Sequence, residues 1–454
     1  MSLCMSITWW TAASSSRRPE AVEEAQNFKF WLKEHLRPEV EVGIGFYWDP
    51  CWRDHAFPVA AKAFLEKNVS VGIRKQELYR MLHIEGLIDP SNITRAQVNY
   101  WVAEIESCYY GEKDEDQMRS ASNFIRREDM GEKGFEQTLY EDNDEFQAFA
   151  FTMPFWKHGR AVKKLVTDST FKINAMRLEM FGMMANLGRF GVPLSYCFYN
   201  KKVNVGDPIP SQYQMKRLRK EVLARWYRGL YERDLQSIFL LTDKDVGQIW
   251  AAKESLPNTF VQLCLKHSMD AIEKRMAAVD MRTNPYCAKS AHETFDFIDP
   301  AWQTFTDDVV SGNICPEEYR KEVKRFFKFH FNAHPLIPDL MGYCLSQEEV
   351  HERSVLEAYS FCKERGLIQF WGYLWNEWYS HLKWQIFSRV SKTILSMSRT
   401  TNLVESHWQK IKQDYSHAMN RPRLDHWVYI VSEKVCLDMS IKLKQFLGRR
   451  EFPS

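Results

Sequence analysis

One stretch, Lys164–Asn200, constrains the fold more than any other. Three apolar runs follow one another in and beside it: Ala161–Thr167, Leu178–Ala185 and Val192–Tyr199. Gly188 and Gly191-Val-Pro193 punctuate the second and third. Short runs bounded by Gly and Pro read as strands, and the short turns between them make neighbours antiparallel. The first run ends on Thr167-Asp168-Ser169-Thr170. A carboxylate at the end of a buried strand must be solvated, paired or bound to a cation. Asp168 is therefore the first residue that needs a reason.

The next segments extend the pattern. Ser211–Arg233 is an amphipathic helix with Leu218, Val222, Leu223, Trp226 and Leu230 on one stripe. Its basic residues lie elsewhere and read first as a solvated face, with a phosphate contact as the rival. Ser237–Asp243 is a buried strand that again ends on an Asp. Asp245 reads as the N-cap of the helix opened by Val246, Ile249 and Trp250. Phe260–Leu265 is a further strand, and Met269, Ile272 and Met276 line the helix after it. Three strands followed by helix-linked strands is the element order of the ribonuclease-H-like fold, by fold-level analogy.

The flanks are helical. Residues 1–54 read as a leader with one short helix, Phe28–Leu36. Residues 55–150 hold helices at Pro58–Lys67, Ile73–His83 and Arg95–Cys108, then acidic linkers at 111–118 and 141–145. The trio fits either a helix-turn-helix module or a generic packing domain. Thr94 and Gln97 have capping-box spacing. The core proper starts at 151 and runs to 279; an aromatic-rich, all-helical insertion fills 280–395. In 396–454, Arg399-Thr-Thr-Asn402 caps a last clear helix with Val404, Trp408, Ile411 and Tyr415 on its apolar stripe. Glu405 sits at the edge of that stripe, and a first-turn acid favoured by the helix dipole is its plain reading.

Composition narrows the class. At 454 residues the chain can bury a large core, and a net charge of +2 leaves no global basic field. Any nucleic-acid contact must use local patches. The 10 cysteines include no CxxC pair, which points to a reducing compartment. The first 20 residues lack signal-peptide character, and no apolar run is long enough to span a membrane.

Asp168 and Asp243 each close a buried strand, and adjacent strand ends can set two carboxylates side by side. Such a pair repels unless a cation lies between them, and Mg²⁺ suits oxygen ligands next to substrate phosphates. Cys264-Leu-Lys-His267 is half of a zinc site at most. Cys51 to His55 is another half-site without partners, and His330 and His334 read as structural. There is no P-loop, GxGxxG or GxSxG.

Four motifs in order carry a family resemblance. They are Asp168-Ser-Thr-Phe171 with the turn at Gly191-Val-Pro193; Thr242-Asp243; Pro257 with Gln262-Leu-Cys-Leu-Lys-His267; and Thr400-Thr-Asn-Leu-Val-Glu-Ser406. Arg423-Leu-Asp425 also fits. Over roughly 55–430 the chain resembles a Mutator-like (MULE) transposase. The resemblance implies a DDE-type enzyme: an α/β, ribonuclease-H-like mixed sheet core with a large all-α insertion and an N-terminal helix-turn-helix-like region. It implies Asp168, Asp243 and Glu405 as catalytic and metal-binding residues, with Mg²⁺ or Mn²⁺ as cofactor. It gives weight to Cys264 and His267 as a recurrent CxxH. It further implies double-stranded DNA as partner, homo-oligomers on DNA, a nuclear location and no membrane. The zinc-finger patterns that members usually carry at the two ends are not found, so a domesticated regulatory protein without catalysis is the alternative.

Overall fold

The computed structural model describes residues 57–448, except 70–72, 74, 90, 92, 110–114, 161, 172, 173, 175, 177, 189, 203–210, 280–282, 304–312, 340, 393–398 and 416–421. The leader, its helix Phe28–Leu36 and the Cys51–His55 pair lie outside the described residues.

The first helices, α1 (Val59–Val69), α2 (Lys75–Ile84) and α3 (Arg95–Tyr109), share a small core of their own. Leu65, Leu78, Leu82, Val98 and Val102 fill it. Thr94 and Gln97 form the reciprocal cap read from their spacing, the Thr94 N–H donating to Gln97 Oε1 at 2.8 Å. Helix α4 (Gln117–Ile125) follows, its first N–H groups held by Asp116.

The centre is mixed α/β, built on one seven-stranded mixed sheet in the order β1-β2-β5-β4-β3-β6-β7. Strands β3 (Lys164–Thr170), β4 (Glu179–Asn186) and β5 (Gly191–Lys201) are the antiparallel trio expected from the apolar runs. Helix α5 (Gln212–Tyr231) starts on a Ser211–Gln214 capping box. Then β6 (Phe239–Thr242), helix α6 (Val246–Ser255), β7 (Phe260–Leu263) and helix α7 (Leu265–Ala277) alternate. Both added strands run parallel to β3.

Two strands were not expected. β1 (Glu136–Asp142) and β2 (Phe146–Thr152) form a hairpin against β5, within the region read as helical, and 143–145 is its turn rather than a linker. β1 is a half-exposed edge strand of mostly polar residues, which hides its period. β2 is buried along its whole length, so the sheet begins at residue 136 rather than 151, and its core takes in Met118 and Phe124 of α4 as well.

The described part of the insertion holds a short helix, Ala288–Thr294, and then helices α8 (Glu317–Asn332), α9 (Gln347–Glu364), α10 (Ile368–Leu374) and α11 (His381–Phe387). A π-helical turn, Trp375–Tyr379, joins the last two. Fully buried Trp371, Trp378, Tyr379 and Phe387 hold this layer together. It docks on the sheet edge, where Gln262 Nε2 donates to the Phe387 carbonyl at 2.8 Å and Lys392 Nζ to the Val261 carbonyl at 3.1 Å.

The chain then returns to the sheet as α12 (Asn402–Lys410), extended by a π-helical turn at Ile411–Tyr415. Helices α13 (Leu424–Tyr429) and α14 (Cys436–Gly448) close the described chain. The Leu424 N–H donates to Gln117 Oε1 at 3.0 Å, tying α13 to α4 across most of the sequence.

Candidate active site

Strand pairing brings the two aspartates together. Leu165 lies beside Leu240 and Val166 beside Leu241 in the parallel β3–β6 ladder. Followed two residues further, that register sets Asp168 level with Asp243. Asp168 does not end its strand, as the apolar run suggested; it sits inside β3, opposite Gly182 of β4. Side chains alternate along a strand. Thr167 faces α5, where it accepts the Tyr227 hydroxyl, so Asp168 faces the opposite side, where α12 packs. Asp243 follows β6 directly, and its Oδ1 accepts the Asp245 N–H at 3.1 Å and Gln248 Nε2 at 3.2 Å. Asp245 is the N-cap of α6, as read from the sequence.

Burial first, and then the neighbouring Asp243 charge, push the Asp168 carboxyl up to about 7. Burial and the neighbouring Asp245 raise Asp243 as well. Two carboxyls in one poorly solvated place cannot both ionise freely without positive charge beside them.

Glu405 arrives from the other side. A Cβ on Gly182 would lie 2.6 Å from the Trp408 ring, so the bare backbone at Gly182 is what lets α12 rest on the sheet. Val404, Trp408 and Ile411 are buried there, and His407 Nε2 meets the Tyr196 hydroxyl at 2.6 Å. Glu405 lies at the edge of this contact, close enough for its charge to act on Asp168. Its Oε2 accepts Lys266 Nζ at 2.6 Å and its Oε1 the Thr401 hydroxyl at 3.0 Å. Burial alone would raise its carboxyl, but the Lys266 and Thr401 bonds outweigh that and hold it low. Thr401 is the N-cap residue, yet its side chain makes no cap bond; the hydroxyl serves Glu405 instead.

Cys264 and His267 lie at the start of α7, beside these acids. The Thr401 N–H donates to Cys264 Sγ at 3.4 Å, and His267 Nε2 stands 3.7 Å from Glu405 Oε1. The Cys264 bond, then the charges of Asp168 and Asp243, push the His267 imidazole up to about 9. Burial works against ionisation of Cys264, but bonds from His267 and Thr401 hold its thiol below the ordinary value.

Asp168, Asp243, Glu405 and His267 thus share one electrostatic neighbourhood. Among the described residues, no three His, Cys, Asp or Glu side chains form a ready-made metal cage. Both Glu405 oxygens are engaged elsewhere, by Lys266 and Thr401.

Several partners were not legible. Glu377, in the π-helical turn of the insertion, accepts Lys244 Nζ on its Oε2 at 2.5 Å, one residue past Asp243. The Lys244 ammonium also lies 4.1 Å from the Trp378 ring centre. Lys412 Nζ donates to Thr170 Oγ1 at 2.7 Å, two residues past Asp168. No local pattern announces such contacts. The basic residues of α5 are largely paired within the protein: Arg219 with Glu179 and Asp245, Arg225 with Glu141 and Glu221. His330 and His334 are buried and bonded within the insertion, to Tyr379 and to the Lys392 carbonyl.

No protein-family model matches the chain. It is similar to the mating-type protein ALPHA3 of Kluyveromyces lactis, at 22% identity over 297 residues. That match covers 60% of this chain but 30% of the relative, so the chain spans under a third of that protein's length. The solved Drosophila P element transposase strand transfer complex aligns with 93% of this chain and 87% of its own, at 11% identity and a TM-score of 0.23. A score that low bears on neither fold nor function. Among the described residues, no helix is long and apolar enough to cross a membrane.

Proposed function

We propose that this chain is a metal-dependent DNA strand-transfer nuclease of Mutator-like transposase type, with a ribonuclease-H-like core. The observation that carries the reading is the meeting of Asp168 and Asp243 on parallel neighbours, with Glu405 brought in by a distant helix. Two buried carboxyls, both raised, with the Asp243 charge acting on Asp168, suit a hard divalent cation, which would relieve that repulsion. Asp168, Asp243 and Glu405 would hold Mg²⁺ or Mn²⁺. Such an ion, when bound, stabilises phosphoryl oxygens and makes water a stronger nucleophile.

The chain's own residues do the rest. His267, protonated at neutral pH, adds a positive charge beside the acids. Lys412, held by Thr170, faces Asp168 and is suited to a DNA phosphate. The CxxH pair and Thr401 brace the start of α12 against that of α7. Double-stranded DNA is the partner, engaged by homo-oligomers in the nucleus, with α1–α3 as the candidate DNA-reading module.

A regulatory, non-catalytic protein is the second reading. It is favoured by the Glu405 carboxylate, both of whose oxygens are already engaged by Lys266 and Thr401. Incubation with labelled duplex DNA in Mg²⁺ or in EDTA separates the two. Cleavage confined to Mg²⁺ supports the nuclease; DNA binding without cleavage supports the regulator.

A further inference from the structure

Glu405 is gripped from two sides, and the two grips differ in kind. Thr401 is fully buried, its backbone N–H donates to Cys264 Sγ, and its hydroxyl lies 3.0 Å from Glu405 Oε1, nearer than to its other neighbours, His267 Nδ1 at 3.4 Å and Cys264 Sγ at 3.5 Å. Lys266 is different. Its side chain is 49% exposed, and a flexible stem carries the ammonium that meets Oε2. A lysine ammonium and a divalent cation compete for the same carboxylate lone pairs.

We propose that Lys266 is an internal counter-cation that occupies Glu405 until a divalent metal displaces it, and that Thr401 is a positioning residue that keeps the carboxylate oriented through the exchange. This rests on the metal-binding reading of Asp168, Asp243 and Glu405. Lys266 then balances the Glu405 charge while the site is metal-free, and sets how much metal is needed to load it. His267 also faces Glu405, but at 3.7 Å against 2.6 Å for Lys266, and it is the less exposed of the two.

The test is metal binding, read without any reaction: Mn²⁺ by the resonance of the free ion and Mg²⁺ by calorimetry, at one pH and low salt. Lys266→Gln should tighten Mn²⁺ about two- to fivefold, the range that exposed ion pairs are worth. Lys274→Gln removes the same charge about two turns further along α7 and should change affinity little. Thr401→Val should weaken binding several-fold at unchanged melting temperature, while Thr401→Ser, which keeps the hydroxyl, should bind as the wild type does. If Lys266→Gln binds no tighter, or Lys274→Gln tightens equally, the counter-cation is refuted while the metal site stands. If Thr401→Ser fails like Thr401→Val, the positioning role is refuted. If the wild type binds no Mn²⁺ that Asp168→Asn removes, the metal reading falls and this inference with it.

Discussion

The Trp408 indole occupies the space over Gly182 that a side chain would fill, and Gly182 is the cross-strand neighbour of Asp168. One glycine therefore sets how closely the helix bearing Glu405 approaches the strand bearing Asp168.

Gly182→Ala should be doubly harmful. Overpacking of this kind costs about 1–3 kcal/mol. Urea unfolding should show that loss, and cleavage should fall by more than the loss of folded protein explains, because α12 must lift. Trp408→Leu in the same background should restore stability in part. An alanine variant with unchanged stability and cleavage would refute the contact's role.

Asp168 makes stability depend on pH. Its carboxyl titrates at 3.8 in the unfolded chain and at about 7 in the fold. Between those values the fold holds the extra proton, so stability drops as pH rises from about 4 to about 7 and stays low above. His267, raised to about 9, works the same way higher up: its contribution is full below 6.5 and lost as pH rises through 9. Metal-free Asp168→Asn should therefore melt higher than the wild type at pH 8, by up to roughly 4 kcal/mol at about 1.4 kcal/mol per pKa unit. At pH 4 the two should nearly coincide. Equal melting curves at pH 8 would count against a buried, strained carboxylate.

Lys244 and Glu377 join the loop after Asp243 to the insertion. Glu377→Ala leaves the Lys244 ammonium against Trp378 without its counter-charge. We expect a loss of roughly 1–3 kcal/mol, since the pair is only partly buried. Lys244→Met added to Glu377→Ala should recover part of it in a double-mutant cycle. Additive effects would show that the two side chains do not interact in solution.

These contacts mark where sequence reading stops. Strands β3 to β7 were legible because each carries a short apolar run, with Gly, Pro or Asp beside several of them, and Asp168 and Asp243 stood out as charges against that background. β2 carried a signal too, in Phe146, Phe149 and Phe151, but it follows directly on the acidic residues 141–145 that read as a linker. β1 carried little, because an edge strand needs no apolar face. The Glu377 contact depends on how a whole helical layer docks, and the Thr401 hydroxyl on how two helix starts meet. Neither leaves a local pattern.

Cys264 and His267 should not hold zinc. Their contacts run to Thr401 and Glu405, and no four-ligand set is found among the described residues. Metal analysis of the purified protein should find far less than one zinc per chain. A tightly held zinc, lost in Cys264→Ala, would overturn the positioning role given to this pair.

In the proposed function Asp168, Asp243 and Glu405 act as one site. The most direct measurement of this is divalent-metal-dependent cleavage of duplex DNA by the wild type and by Asp168→Asn, Asp243→Asn and Glu405→Gln, each first shown to be folded and to bind DNA. The account predicts cleavage by the wild type in Mg²⁺ or Mn²⁺, none in EDTA, and a loss of at least about a hundredfold in every variant, as expected when a group stabilising the transition state is removed. Cleavage at the wild-type rate by any one of the three variants would contradict it.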